Sequence, residues 1–261
     1  MTSHDGPVVR ISALRQQQLL ERLLRDQALR VAALSEEFDV SRETIRRDLK
    51  VLERRGRLKR VYGGAVATPS AGIRPLIERE RINQTGKATI AALARDLVKE
   101  GDSVFIGEGT TTLALARLLS GHVPFRCTTN MIDIGAALGH GDNHEIFLTG
   151  GRLYPDHGIL AGHAAISMAQ SQIYDIAFVG TSSITLDVGC LDHERMLSEM
   201  NKALTNRAKR LIVLADGSKF GASARFVTYE LGAIDTLITD ARPGRAYLAA
   251  LDDAEVEVIC P

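Results

Sequence analysis

Long apolar runs are missing from this sequence. None approaches the ~20 residues that a bilayer-spanning helix requires, so no membrane partner is expected. The opening stretch MTSHDGPVVR carries no apolar core of a signal peptide. Cysteine is scarce. Cys127, Cys190 and Cys260 are odd in number and far apart, which argues against a disulfide framework and a metal knuckle and points to reduced cytosolic thiols. The histidines His140, His144, His157, His163 and His193 scatter through expected loops, and no pair has the spacing of metal ligands on one helix. No metal, no cofactor and no catalytic residue is therefore expected.

Net charge is also missing, since 32 basic side chains balance 32 acidic ones. The balance is not even along the chain. Residues 1–66 hold fourteen basic and nine acidic side chains, and the rest carries the compensating acidic excess. A neutral chain with a basic N-terminal lobe fits a nucleic-acid-binding module joined to an unrelated body.

The stretch Val40-Ser41-Arg42-Glu43-Thr44-Ile45-Arg46-Arg47-Asp48-Leu49 reads as the start of a helix built for a DNA groove. Ser41 is a good N-cap, because its hydroxyl can accept from free N–H groups of the first turn. Ile45, Leu49 and Leu52 recur on one face, leaving Arg42, Arg46, Arg47 and Lys50 to look outward. Two helices are expected before it, Ser12–Gln27 with Leu19, Leu20, Leu23 and Leu24 inward, and Val31–Phe38, with Asp39-Val40 as the turn. The third helix is expected to stop at Gly56 as C′ residue. Arg57 to Val66 then reads as a two-stranded wing, with Lys59, Arg60 and Tyr62 beside the duplex and Gly63-Gly64 serving a positive-φ turn or a close approach to phosphate. A solvated, arginine-rich amphipathic helix is the plainer explanation of the charges alone. The order of helix, turn, helix, cap and basic ribbon weighs against it.

Residues 67–84 contain TPSAGIRP and read as a linker. From 85 to 261 short apolar runs alternate with helical patterns, beginning with a helix through Lys99 that Arg79, Asn83 and Lys87 open. Runs at 103–107, 125–129, 145–149, 176–180, 211–215 and 236–239 predict a mostly parallel sheet with ligands at the strand ends. Those ends carry Glu108-Gly109-Thr110-Thr111-Thr112, Thr129-Asn130, Gly150-Gly151 and Asp216-Gly217-Ser218-Lys219. Free N–H groups and hydroxyls at a helix start suit a phosphate. No GK[ST] follows, so it is not a Walker loop, and GxGxxG is not completed. A Thr-capped helix without a ligand would give the same letters. Lys219 can neutralise a phosphate or simply face solvent, and His157 can close over a ligand or be an ordinary surface histidine.

The run VSRETIRRDLKVLERRGRLKRVYGGA resembles the DeoR family of bacterial transcription regulators, with Tyr62 where the family has His. The resemblance implies DNA contacts from Ser41, Arg42, Thr44, Arg46 and Arg47. The body resembles the family's sensor domain, itself similar to ribose-5-phosphate isomerase, so the likeness spans nearly the whole chain. It implies effector contacts from Gly109–Thr111, Thr129-Asn130, Gly150-Gly151 and Ser218–Gly221. Three positions depart from the family pattern. Gly107 stands where an aspartate is common, and Leu197 and Asn201 stand where a Glu and a Lys are common. The length and the GG loop lie near the glycerol-3-phosphate repressor branch.

The expected architecture is thus an α/β chain, an N-terminal winged helix-turn-helix (1–66) and a Rossmann-like, mostly parallel sensor domain (85–261). The expected function is a repressor of carbohydrate or polyol catabolism genes. It binds a double-stranded operator as a homo-oligomer, dimer or tetramer, and a phosphorylated sugar or polyol releases it. Two other readings stay open: a sugar-phosphate isomerase with an appended DNA-binding module, using Glu108 and Lys219, and an architectural DNA binder.

Overall fold

A computed structural model describes residues 28–54, 58–66, 76–141, 143–155 and 157–261, together with residues 15, 16, 18, 19, 22, 23 and 26. The chain divides into two compact units, Met1–Ile73 and Arg74–Pro261. Of the expected first helix, the described residues from 15 to 26 are helical, while Leu20 and Leu24 lie outside the described residues. The expected stop at Gly56 and the loop 67–75 lie outside them as well.

In the first unit β1 (Ala28–Arg30) leads into α1 (Val31–Glu37), and after the turn comes α2 (Arg42–Arg54). Asp39 adopts a positive φ in that turn. Ile45, Leu49 and Leu52 of α2 are buried with Leu19, Leu23, Leu29, Val31, Leu34, Leu58 and Ala65, so the i, i+4, i+7 stripe is the seam of this core. Asp48 interrupts the apolar pattern and is buried too. Its carboxylate accepts from Arg15 Nε at 2.6 Å and Gln16 Nε2 at 2.9 Å, which pins α2 to the preceding helical residues. The wing is β2 (Lys59–Val61) antiparallel to β3 (Gly64–Val66). It gains a third strand that the sequence pattern did not announce, because β1 pairs with β3.

The second unit opens with α3 (Leu76–Arg81), so the stretch expected as a linker, 67–84, contains a helix. Then α4 (Gln84–Arg95) ends four residues before Lys99, the expected end. A seven-stranded sheet follows, in the order β15 (Glu257–Ile259), β14 (Thr236–Ile238), β12 (Leu211–Leu214), β9 (Ile176–Gly180), β4 (Ser103–Ile106), β5 (Arg126–Thr129), β6 (Glu145–Leu148). Every pairing in it is parallel. Phe105, Ala177, Val179, Leu211 and Val213 share one buried core, and the alternate residues Val104, Ile106, Phe178, Ile212 and Leu214 are buried as well, so both faces are covered. Helices α5 (Thr110–Leu119), α6 (Ile132–Leu138), α7 (His163–Gln170), α8 (Arg195–Lys202) and α9 (Arg245–Asp253) alternate with the strands. His163, expected in a loop, is the first residue of α7.

The chain runs outward from β4 through β5 to β6, then returns to β9 and continues the other way through β12 and β14 to β15. The reversal places the topological switch point between the ends of β4 and β9, the position where such sheets bind ligands. Two smaller pieces have no counterpart in the expected pattern: the hairpin β7 (Arg152–Tyr154)–β8 (Ile159–Ala161), and an antiparallel sheet of β10 (Ser183–Thr185), β11 (Gly189–Asp192) and β13 (Phe226–Tyr229).

Candidate functional site

The first unit presents a basic face. Ser41 Oγ accepts from Thr44 N–H at 3.1 Å, so Ser41 is the N-cap of α2, and its hydroxyl also meets Thr44 Oγ1 at 2.9 Å. Arg42, Arg46, Arg47 and Lys50 are exposed. Arg46 has only a loose contact to Glu43, at 3.7 Å between exposed side chains. At the wing Arg60 is exposed and also paired within the unit. Its Nε donates to Glu53 at 2.7 Å and its backbone N–H to the same carboxylate at 2.9 Å, so it clamps the wing to α2, and this pairing lowers the Glu53 carboxyl. Lys59 and Tyr62 are exposed, with Tyr62 at the tip. The two glycines separate in role. Gly63 has φ +76 and open space around it, whereas a Cβ on Gly64 would sit 1.9 Å from Leu29 O. The close approach at Gly64 is to the chain's own β1.

In the second unit the switch point gathers the polar side chains. Glu108 follows β4 and is buried. Asn130, after β5, holds it twice, donating from Nδ2 to Glu108 Oε2 at 2.7 Å and accepting from Glu108 N–H at 3.1 Å. Burial pushes the Glu108 carboxyl up to about 7, and the nearby Asp192 charge acts in the same direction, against Asn130 and Arg79. Gly109, with φ +149, opens α5, whose first N–H groups have no acceptor within the helix. Thr112 Oγ1 donates to Gly109 O at 3.0 Å and is fully buried, Thr111 is buried, and Thr110 is half-buried. Thr129 spends its hydroxyl on Met131 N–H at 3.1 Å.

Three residues bring positive charge to this end of the sheet. Lys219 sits half-buried in a 3-10 turn that Asp216 caps by accepting from Ser218 N–H at 2.9 Å. Arg79 at the end of α3 and Lys87 in α4 were read from the sequence only as the opening of a helix. The Lys87 ammonium donates to the carbonyls of Arg79 and Ile82, the latter at 2.7 Å, and closes the end of α3. Burial lowers Lys87 to about 8, while Asp216 opposes the shift and Lys219 and Arg79 assist it, which places these groups within electrostatic reach of one another. Arg79 is likewise lowered by burial and supported by Glu108. Asp240, beyond β14, joins the two segments: it accepts from Asn83 Nδ2 at 2.9 Å and from Gly217 N–H at 2.7 Å.

The GG turn and His157 occupy the β7–β8 region. Gly150 and Gly151 both have positive φ, and a Cβ on Gly151 would meet Ala161 O at 2.7 Å, so that glycine serves the hairpin. His157 is half-buried in the hairpin turn, and its neighbour Asp156 lies outside the described residues.

The departures from the family pattern meet in space. A methyl on Gly107 would stand 3.6 Å from Asn201 Oδ1. Asn201 lies on the buried face of α8 with Leu197, while Glu199 and Lys202 are exposed. Asn201 Nδ2 donates to Asp192 Oδ2 at 3.2 Å, and Asp192 also accepts from Thr228 and Ser182. Burial raises the Asp192 carboxyl against all of these donors. Asp192 escaped the sequence reading because it comes from a short antiparallel strand.

Comparison with known proteins shows the family. Residues 15–71 match the DeoR-like helix-turn-helix domain and residues 82–241 the DeoR C terminal sensor domain. The chain belongs to the DeoR family. A putative aga operon transcriptional repressor from Escherichia coli O157:H7 is 33% identical over 94% of this chain and 92% of the relative. The HTH-type transcriptional repressor GlcR of Bacillus subtilis is 34% identical over 85% and 86%. The glycerol-3-phosphate regulon repressor of Haemophilus influenzae is 30% identical over 87% and 89%. Ribose 5-phosphate isomerase A of Methanocaldococcus jannaschii superposes on 53% of this DeoR-family chain and 55% of its own, at a TM-score of 0.40 and 17% identity.

Proposed function

We propose that this DeoR-family protein is a DNA-binding repressor of carbohydrate or polyol catabolism genes, released from its operator by a phosphorylated sugar or polyol. Residues 1–66 read the operator, 67–84 connect, and 85–261 sense the effector, with Arg79 contributing from α3. The observation that carries the reading is the pairing, in one chain, of a capped helix exposing Arg42, Arg46, Arg47 and Lys50 with an anion-suited switch point. At that switch point the N-terminus of α5, Lys219 and Arg79 favour phosphate, and Glu108 with Asn130 line the approach. A symmetric operator calls for a homo-oligomer, dimer or tetramer. For the effector to act, it must bind the released form more tightly than the operator-bound form.

The test is binding to DNA from upstream of the protein's own gene at fixed salt, titrated with sugar and polyol phosphates. Release by one compound, with a midpoint raised about tenfold or more in Lys219→Ala or Thr111→Val, supports the reading. Binding that no compound alters sinks the sensor half and favours an architectural DNA binder. Isomerisation has one observation in its favour, a Glu108 carboxyl near 7, the range of a general acid or base. Turnover of ribose 5-phosphate that disappears in Glu108→Gln would establish it.

A further inference from the structure

We infer that Asn201 reads a hydroxyl group on the effector, at the end of the site away from the phosphate. The inference rests on the effector site proposed above and adds a requirement on its ligand. Asn201 Oδ1 is buried and has no hydrogen-bond partner among the described residues. A buried acceptor without a donor costs about 1–3 kcal/mol, so its presence calls for an explanation.

In the present orientation the amide nitrogen donates to Asp192 Oδ2, and turning the amide over would give up that bond to a carboxylate that also accepts from Thr228 and Ser182. Asp192 is in turn held by Ser182 and Thr228, which fixes the carboxyl that the amide nitrogen meets. Asn201 Oδ1 lies near Gly107, the residue that follows β4 beside β9. Gly107 N–H is already spent on Phe178 O at 2.8 Å, so it does not serve the amide oxygen. A Cβ at Gly107 would meet Asn201 Oδ1 at 3.6 Å, so the missing side chain leaves the oxygen uncovered on the side toward the residue that follows β4. Three residues further on, α5 begins, within about 11 Å along even a fully extended chain. A molecule with phosphate at the α5 N-terminus and a hydroxyl a few carbons away matches both groups. An acceptor at this point rejects an analogue that lacks the hydroxyl, because the oxygen then stays buried and unpaired.

The experiment measures direct binding and operator release with glycerol 3-phosphate, ribose 5-phosphate, glucose 6-phosphate and fructose 6-phosphate, each beside its monodeoxy analogues. Wild type, Asn201→Leu and Gly107→Ala are compared, with thermal unfolding as the check on folding. Gly107→Ala is the second variant because its methyl finds ordinary contacts of 3.4–3.6 Å and covers the amide oxygen without disturbing Asp192. The expected result is a preference of wild type for one hydroxylated compound over its deoxy partner of about tenfold or more, and a collapse of that preference toward unity in both variants. The same preference retained in a folded Asn201→Leu or in Gly107→Ala overturns the assignment while leaving the effector site standing. Failure of every phosphate ester to bind wild type overturns the effector site and the Asn201 assignment together.

Discussion

Glu108 shows how one buried carboxyl ties stability to pH. Its folded value of about 7 lies above the ordinary 4.5, so the protonated form is the one the fold prefers. Its contribution is therefore fully present below pH 4.5 and is lost as pH rises through 7. Glu108→Gln keeps the shape and removes the titration. Urea unfolding at pH 5 and pH 8 is expected to show wild type losing on the order of 3 kcal/mol relative to the variant across that interval. An equal response of both proteins would mean that the carboxyl is not held neutral. At this scale the sequence announces the loops well, because Gly109, Thr111, Asn130 and Asp216 sit immediately after apolar runs. It hides Arg79, Lys87, Asp192 and Asp240. Their roles come from contacts across the sheet, such as the bond from Asn83 to Asp240 over 157 positions, which no local pattern encodes.

Elements divide by how much local signal they carry. The helix at Arg42–Arg54 is legible because its cap, its apolar stripe and its charged face all agree, and the central strands are legible because burial on both faces makes them continuous apolar runs. The strand β1, the β7–β8 hairpin and the β10–β11–β13 sheet are three or four residues each and owe their form to pairing partners, so their letters are silent. The same point makes a prediction for the wing. Gly64→Ala drives a methyl into Leu29 O and is expected to part β1 from β3, lowering the melting temperature of the N-terminal unit by several degrees and weakening operator binding. Gly63→Ala has open space and pays only for its positive φ, about 1 kcal/mol. Thermal melts that rank the two variants in the opposite order would contradict the three-stranded wing.

For the whole molecule, the zero net charge conceals a division of labour between a basic unit and an acidic one. Operator affinity is expected to fall steeply with salt, although the chain is neutral, because the proposed contacts to the DNA backbone come from the basic first unit. Arg46→Ala and Arg47→Ala, titrated on operator DNA and on scrambled DNA across a salt series, separate two kinds of contact. An arginine bound to phosphate loses affinity on both DNAs and flattens the salt slope by about 1. One that reads a guanine loses about 1–3 kcal/mol on the operator alone. Unaltered binding in both variants would move the interface off α2.

The carboxylate of Asp240 is a rivet with two shafts. One holds Asn83, the cap of the helix that follows the first segments of the sensor unit, and the other holds Gly217 in the turn that carries Lys219. On the effector site proposed above, a phosphate that draws Lys219 inward would pull on Asn83 through this carboxylate. Asp240→Ala should cut that linkage: effector binding measured by calorimetry persists, while the effector concentration that releases operator DNA climbs. Should binding and release weaken together, the rivet holds the pocket rather than transmits from it.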